Sequence, residues 1–97
     1  MNKNIQIKLD GKFEISFNHI LEYIAQDKIS AAKKFKKDLF EQIKNLSNSP
    51  YKYRKSFYFD DENIRDMTYK KYTITYEINL NDNLIVILKI FNKNKPQ

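Results

Sequence analysis

The hydrophobic period of this chain changes once, and the change divides it into a helical half and a sheet half. Phe13, Phe17, Ile20, Leu21 and Ile24 recur at helical spacing on one stripe, and Ala32, Phe35, Leu39, Ile43 and Leu46 form a second. Asp27 and Ser30 lie between the stripes, and each has a side-chain oxygen suited to capping a helix start. Ser47-Asn48-Ser49-Pro50 stops the second helix, because proline disfavours a helical residue before it. Beyond this point the period drops to two. Ile64 to Tyr69 reads as a strand, and Tyr72, Ile74, Tyr76 and Ile78 alternate with Thr73, Thr75 and Glu77 as another. Asn79 to Asn83 is a turn, and Leu84 to Phe91 is an apolar run broken only by Lys89, the pattern of a central strand buried on both faces. Ahead of the helices, Ile5, Ile7 and Leu9 alternate with Gln6 and Lys8 as a first strand; Asp10-Gly11 closes it, with the only glycine placed where the backbone is expected to turn.

The order β-α-α-β-β-β predicts an α+β fold, a helical hairpin packed on one face of a mainly antiparallel four-stranded sheet. At 97 residues the chain is expected to form one domain, 1–97, around one core. Fourteen aromatic rings, seven Tyr and seven Phe, supply the buried area that such a core needs. Without cysteine there is no disulfide framework and no thiolate nucleophile. No apolar run approaches the roughly 20 residues that span a bilayer. The polar start, with Asn2, Lys3, Asn4 and Lys8, lacks the apolar core of a secretion signal, so a cytoplasmic protein is expected. A net charge of +6 favours an acidic or polyanionic partner without saying which.

Few residues are equipped for catalysis. The single histidine, His19, sits within a helical pattern, and a lone helical histidine is more often a packing or surface residue than a ligand. With no cysteine and one histidine, no metal or cofactor site is expected. Asp60-Asp61-Glu62 imitates a metal cluster, but adjacent loop acids are usually solvated. Lys33, Lys34, Lys36 and Lys37 crowd the second helix; Lys34 with Asp38 and Lys37 with Glu41 fall at i,i+4, which suits a solvated helix face. The segment Tyr51-Lys52-Tyr53-Arg54-Lys55-Ser56-Phe57-Tyr58-Phe59 alternates rings and cations in the manner of single-strand RNA binders, or of a loop that covers a sheet edge.

Ile64-Arg65-Asp66-Met67 followed by Lys70-Lys71-Tyr72-Thr73-Ile74-Thr75-Tyr76-Glu77-Ile78 resembles the core strands of the RelE/ParE toxins. Leu21-Glu22-Tyr23-Ile24-Ala25 with Ala31-Ala32-Lys33-Lys34-Phe35 is similar to the family's two helices, and Ile87-Leu88-Lys89-Ile90-Phe91 to its last strand. The resemblance implies a toxin neutralised by a cognate antitoxin. It also implies one of two targets: mRNA on the ribosome, cut by the ribonuclease members, or DNA gyrase, poisoned by ParE-type members.

Ribonuclease members carry several basic strand residues and a proton-handling group near the C-terminus. Here Thr73 and Thr68 stand where strand arginines are expected, and Asn92-Lys93 replaces the usual tail. An asparagine cannot shuttle a proton near neutral pH, and one lost electrostatic donor removes about 3–4 kcal/mol of transition-state stabilisation. The expectation is therefore a binder of gyrase, with no catalytic residue and with Arg54, Lys55, Arg65, Lys70 and Lys93 as target-binding residues. The alternative is a ribosome-dependent mRNA endoribonuclease in which Arg65, Arg54, Lys55 and a nearby tyrosine share the phosphate. A basic RNA-binding or scaffold domain without toxicity is a third reading. Lys71 occupies a position where many relatives have glycine, at a cost of roughly 1 kcal/mol if the turn needs a positive φ.

Overall fold

The computed structural model describes residues 5–92. Strand β1 (Gln6–Leu9) leads into helix α1 (Gly11–Asp27) and helix α2 (Ile29–Asn45), and strands β2 (Ile64–Tyr69), β3 (Tyr72–Asn79) and β4 (Leu84–Asn92) follow. The sheet order is β1-β4-β3-β2. Strands β2, β3 and β4 form an antiparallel meander, whereas β1 lies parallel to β4, so the sheet is mixed.

Asp10 caps α1, its carboxylate accepting from the Lys12 amide at 2.9 Å. Gly11 is thus the first residue of the helix and not a turn residue; no glycine among the described residues has a positive φ. The helices are joined through Lys28 alone, extended at φ −156° and ψ 118°, whose amide donates to the Ile24 carbonyl at 3.1 Å. Neither Asp27 nor Ser30 caps α2. Lys28 occupies that position without a side-chain bond, because the single-residue link leaves Asp27 in α1 and puts Ser30 inside α2. The two stripes meet through rings: Phe17 stacks near Phe35 at 6.2 Å and against Phe40 at 5.2 Å. Phe35 then reaches Tyr69 and Tyr72 of the meander at 5.6 and 5.4 Å.

Phe13, Leu39, Met67, Ile74, Tyr76, Ile85 and Ile87 are completely buried between hairpin and sheet. Each side chain of this size contributes about 1.5–3 kcal/mol on burial. Strand β4 is central, as its sequence suggests, but only one of its faces is fully covered; Val86, Leu88 and Lys89 are half-buried. Its register against β3 carries one irregularity. Thr75 pairs with Lys89 and Tyr76 with Ile87, so Leu88 is an extra residue. This bulge moves the alternation of β4 by one position. Ile85 and Ile87 face the helices before it, and Ile90 faces them after it. Without the shift, Lys89 shares the phase of Ile87 and enters the core; with it, Lys89 turns to the other side of the sheet.

The turn between β2 and β3 is Lys70-Lys71. Its positive φ, 54°, belongs to Lys70 and not to Lys71, so the strain anticipated for this turn falls one residue earlier. Asn83, in the β3–β4 turn, has the other positive φ, 56°, where asparagine is well tolerated.

Candidate target-binding face

The sheet face opposite the helices is built from residues that alternate with the core. Asp66 pairs in register with Thr75, and Thr75 with Lys89, so these three side chains form one row across β2, β3 and β4. Thr68, Thr73 and Phe91 form the adjacent row. Such a surface would be open, yet Asp66, Thr73, Thr75 and Phe91 are buried. The cover is the segment between α2 and β2. Arg54 to Ser56 runs antiparallel beside β2, with Ser56 N–H donating to the Ile64 carbonyl at 2.8 Å and Asp66 N–H to the Arg54 carbonyl at 3.1 Å. Phe57, Tyr58 and Phe59 then fold over the face, and Tyr58 meets Phe91 edge-on at 5.4 Å.

Within this cover most charges are already matched. The Thr75 hydroxyl donates to Asp66 Oδ1 at 2.9 Å, while Asp66 Oδ2 lies 3.7 Å from the Arg54 guanidinium and accepts no hydrogen bond among the described residues. Arg54 in turn stacks on the Phe57 ring at 3.7 Å. Lys55 reaches Asp60 at 3.3 Å and Glu62 at 3.7 Å. Arg65 is a strap: its Nε donates to the Glu62 carbonyl at 2.8 Å and Nη1 to the Tyr53 carbonyl at 3.0 Å. Its Nη2 faces Glu62 at 3.4 Å, and the group stacks over Tyr51 at 4.9 Å. The Tyr76 hydroxyl pins the same segment from the core side, donating to the Pro50 carbonyl at 2.6 Å. Burial pushes the Tyr76 phenol far above its ordinary value, against the nearby Arg65 charge.

Lys89 differs from these cations. Its ammonium lies 5.6 Å from the Tyr58 ring centre, 5.7 Å from Phe59 and 5.3 Å from Phe91, and it has no carboxylate partner among the described residues. Ring faces attract a cation by about 0.5–2 kcal/mol each, which holds the ammonium on this face without neutralising it.

The structure therefore brings Arg54 and Lys55 together on the covering segment and ties Arg65 beneath it. Arg65 pairs with Glu62, and the acid at position 66 belongs to Arg54. Lys70 sits at the opposite end of β2, ~16 Å along the strand from Arg65, and is not part of this group. Lys93 lies outside the described residues. Sequence reasoning missed Lys89 and Asp66 as site residues. The signal for Lys89 was its isolation in an apolar strand, combined with isoleucines at positions 85, 87 and 90 that no single alternation can align.

Elsewhere, Lys33, Lys34, Lys36 and Lys37 are all exposed on α2, with Lys34 bound to Asp38 at 3.0 Å. His19 is exposed on α1. Asp60 and Glu62 serve the lysine and arginine beside them, and no set of three or more metal-ligating side chains gathers among the described residues. No described helix is long and apolar enough to cross a membrane.

A two-helix hairpin on one side of a four-stranded sheet of this order is also found in a solved structure. The chain superposes on a solved chain of the chromosomal ParDE TA system from P. aeruginosa with a TM-score of 0.72, over 92% of this chain and 96% of that one, at 18% sequence identity. That likeness establishes the fold. No curated protein matches by sequence. The family model of the ParE toxin of type II toxin-antitoxin systems, parDE, matches residues 7–95, and the chain belongs to that family. It is a ParE-like type II toxin.

Proposed function

We propose that this toxin acts by binding DNA gyrase, not by cutting RNA, and that a cognate antitoxin encoded beside it neutralises it by binding. The observation that carries the reading is the content of the outer face. Its central row is a carboxylate held by Arg54 and Thr75, a hydroxyl, and an ammonium set among rings. Thr68 and Thr73 occupy the next row, where the ribonuclease relatives place cations. Cleaving RNA at the 2′-hydroxyl requires a group that takes up and gives back a proton near neutral pH. The only histidine is exposed on α1, which packs on the opposite face of the sheet. A surface of rings and paired charges suits recognition. Interfaces gain most from such aromatic and arginine anchors.

Purified toxin added to gyrase and relaxed plasmid is expected to block supercoiling, and the antitoxin to restore it. Full supercoiling at a large excess of toxin refutes the reading. Sequencing of mRNA ends after brief induction separates the alternative: codon-periodic cuts identify a ribosome-dependent ribonuclease, and intact messages remove it.

A further inference from the structure

We infer that the outer face is a docking site for a protein segment that presents one carboxylate between apolar side chains, with Lys89 receiving the carboxylate. The inference concerns what the face accepts, and it stands whether or not the segment belongs to gyrase.

Charge argues for a single anion. Of the cations on or under the covering segment, Arg54 is committed to Asp66, Lys55 to Asp60 and Glu62, and Arg65 to Glu62, while Lys52 lies over the Tyr53 ring, 5.4 Å from its centre. Lys89 is the cation of the sheet face itself, half-buried among three rings and with no acid partner among the described residues. A nucleic acid strand needs several free cations in a line to release its counterions. Here it would find Lys89 on the face and Lys52 at the start of the segment, with Asp60, Asp61 and Glu62 beside them, and no line of free cations. The densest run of lysines lies on α2, which packs on the other side of the sheet.

The surroundings of Lys89 argue for apolar neighbours on the ligand. Tyr58, one of the three rings around its ammonium, is 57% exposed, and Phe57, next in the chain and stacked on Arg54, is 79% exposed. The guanidinium against Phe57 fixes that ring from one side and leaves the other free. Platforms of this kind take aliphatic and aromatic side chains at interface centres, and the half-buried ammonium beside Tyr58, Phe59 and Phe91 is placed to form a charge-assisted bond to a carboxylate among them. The bulge at Leu88 supports the same reading, since its effect is to present a lysine on this face that a regular strand would bury.

The test uses the full chain and a defined probe. Acetyl-Gly-Leu-Glu-Leu-Gly-amide is titrated into isotopically labelled toxin and followed by NMR, beside its glutamine analogue, sodium acetate and an eight-residue oligothymidylate. The glutamate peptide is expected to shift Lys89, Tyr58 and Phe91 and to bind at least about tenfold more tightly than the glutamine peptide. Lys89→Met, which keeps an apolar stem against the rings, should erase that difference. Phe57→Ser, at a position exposed enough to leave folding intact, should weaken both peptides several-fold. Equal affinity for the two peptides, affinity for acetate equal to that for the glutamate peptide, preference for the oligonucleotide, or no shift at about 10 mM peptide each overturns the inference. So does a response confined to the lysines of α2.

Discussion

Replacing Tyr76 by phenylalanine removes one oxygen from the most enclosed tyrosine of the sheet, and its effects are calculable. The ring is 0% exposed and its hydroxyl donates to the Pro50 carbonyl at 2.6 Å, joining β3 to the segment that covers the outer face. An intramolecular bond of this kind has a net worth of about 0.5–1.5 kcal/mol. Pro50 is half-buried, so water can partly replace the lost donor and the cost stays near 1 kcal/mol. For a chain of this size that lowers the melting temperature by ~4–8 °C. The same residue sets an alkaline limit. Burial raises the phenol well above its ordinary 10.0, so the folded protein keeps its proton where the unfolded chain gives it up. The stabilisation is therefore complete below pH 10 and is lost as pH rises beyond it. Tyr69 and Tyr72 move in the same direction, chiefly through burial, so Tyr76→Phe should soften the alkaline decline without abolishing it. Urea titrations of both proteins at pH 7 and at steps above pH 10 give the comparison. Equal stability at pH 7 together with an unchanged alkaline slope refutes the reasoning.

Other perturbations test other parts of the fold. Lys70→Gly relieves a left-handed residue that costs about 1–2 kcal/mol and gives back about 0.4–1 kcal/mol through unfolded-chain entropy, so a small net gain is expected in thermal melts; a loss would contradict the turn geometry. Asp66→Ala leaves the buried Thr75 hydroxyl without its acceptor and should cost about 1–3 kcal/mol in urea titrations, whereas Asp66→Asn keeps an acceptor and should cost clearly less. Deleting Leu88 removes the extra residue and leaves a regular strand in which Ile87 and Ile90 still face the helices and Lys89 still faces outward; cooperative unfolding should survive by circular dichroism, and its loss would mean that Leu88 does more than set the phase. Leu39→Ala empties a completely buried position and should cost about 2–5 kcal/mol in the same titrations.

The element order was legible because each element carries a clean period. The stripes from Phe13 to Ile24 and from Ala32 to Leu46 became α1 and α2, and Tyr72 to Ile78 became β3. Local chemistry at the joints was less legible. A helix-capping aspartate and a turn-forming Asp-Gly look the same until the next residue's conformation is known, so Gly11 read as a turn. Pairing partners were also hidden. Alternation marks β1 as a strand but carries no sign of direction, and its parallel match to β4 follows from the hairpin that carries the chain across the sheet. For the site, local sequence showed which residues were charged but not which were already neutralised. Arg65 stood out as the matched arginine, yet its bonds go to Glu62 and Tyr53, while Lys89 gained its position from a register shift that strand patterns do not display.

The parallel pairing of β1 and β4 also bears on how a cell makes this protein. Leu84 follows Leu9 by 75 residues, yet the two strands are neighbours in the sheet. At about 5–20 residues per second, the ribosome needs ~4–15 s between finishing one strand and beginning the other. Throughout that interval the hairpin lacks β4 beneath it, and β1 has no hydrogen-bonding neighbour. A chain interrupted before Leu84 thus lacks Lys89 and the seat that holds β1. Truncated translation products should be unable to poison the cell that is still making them.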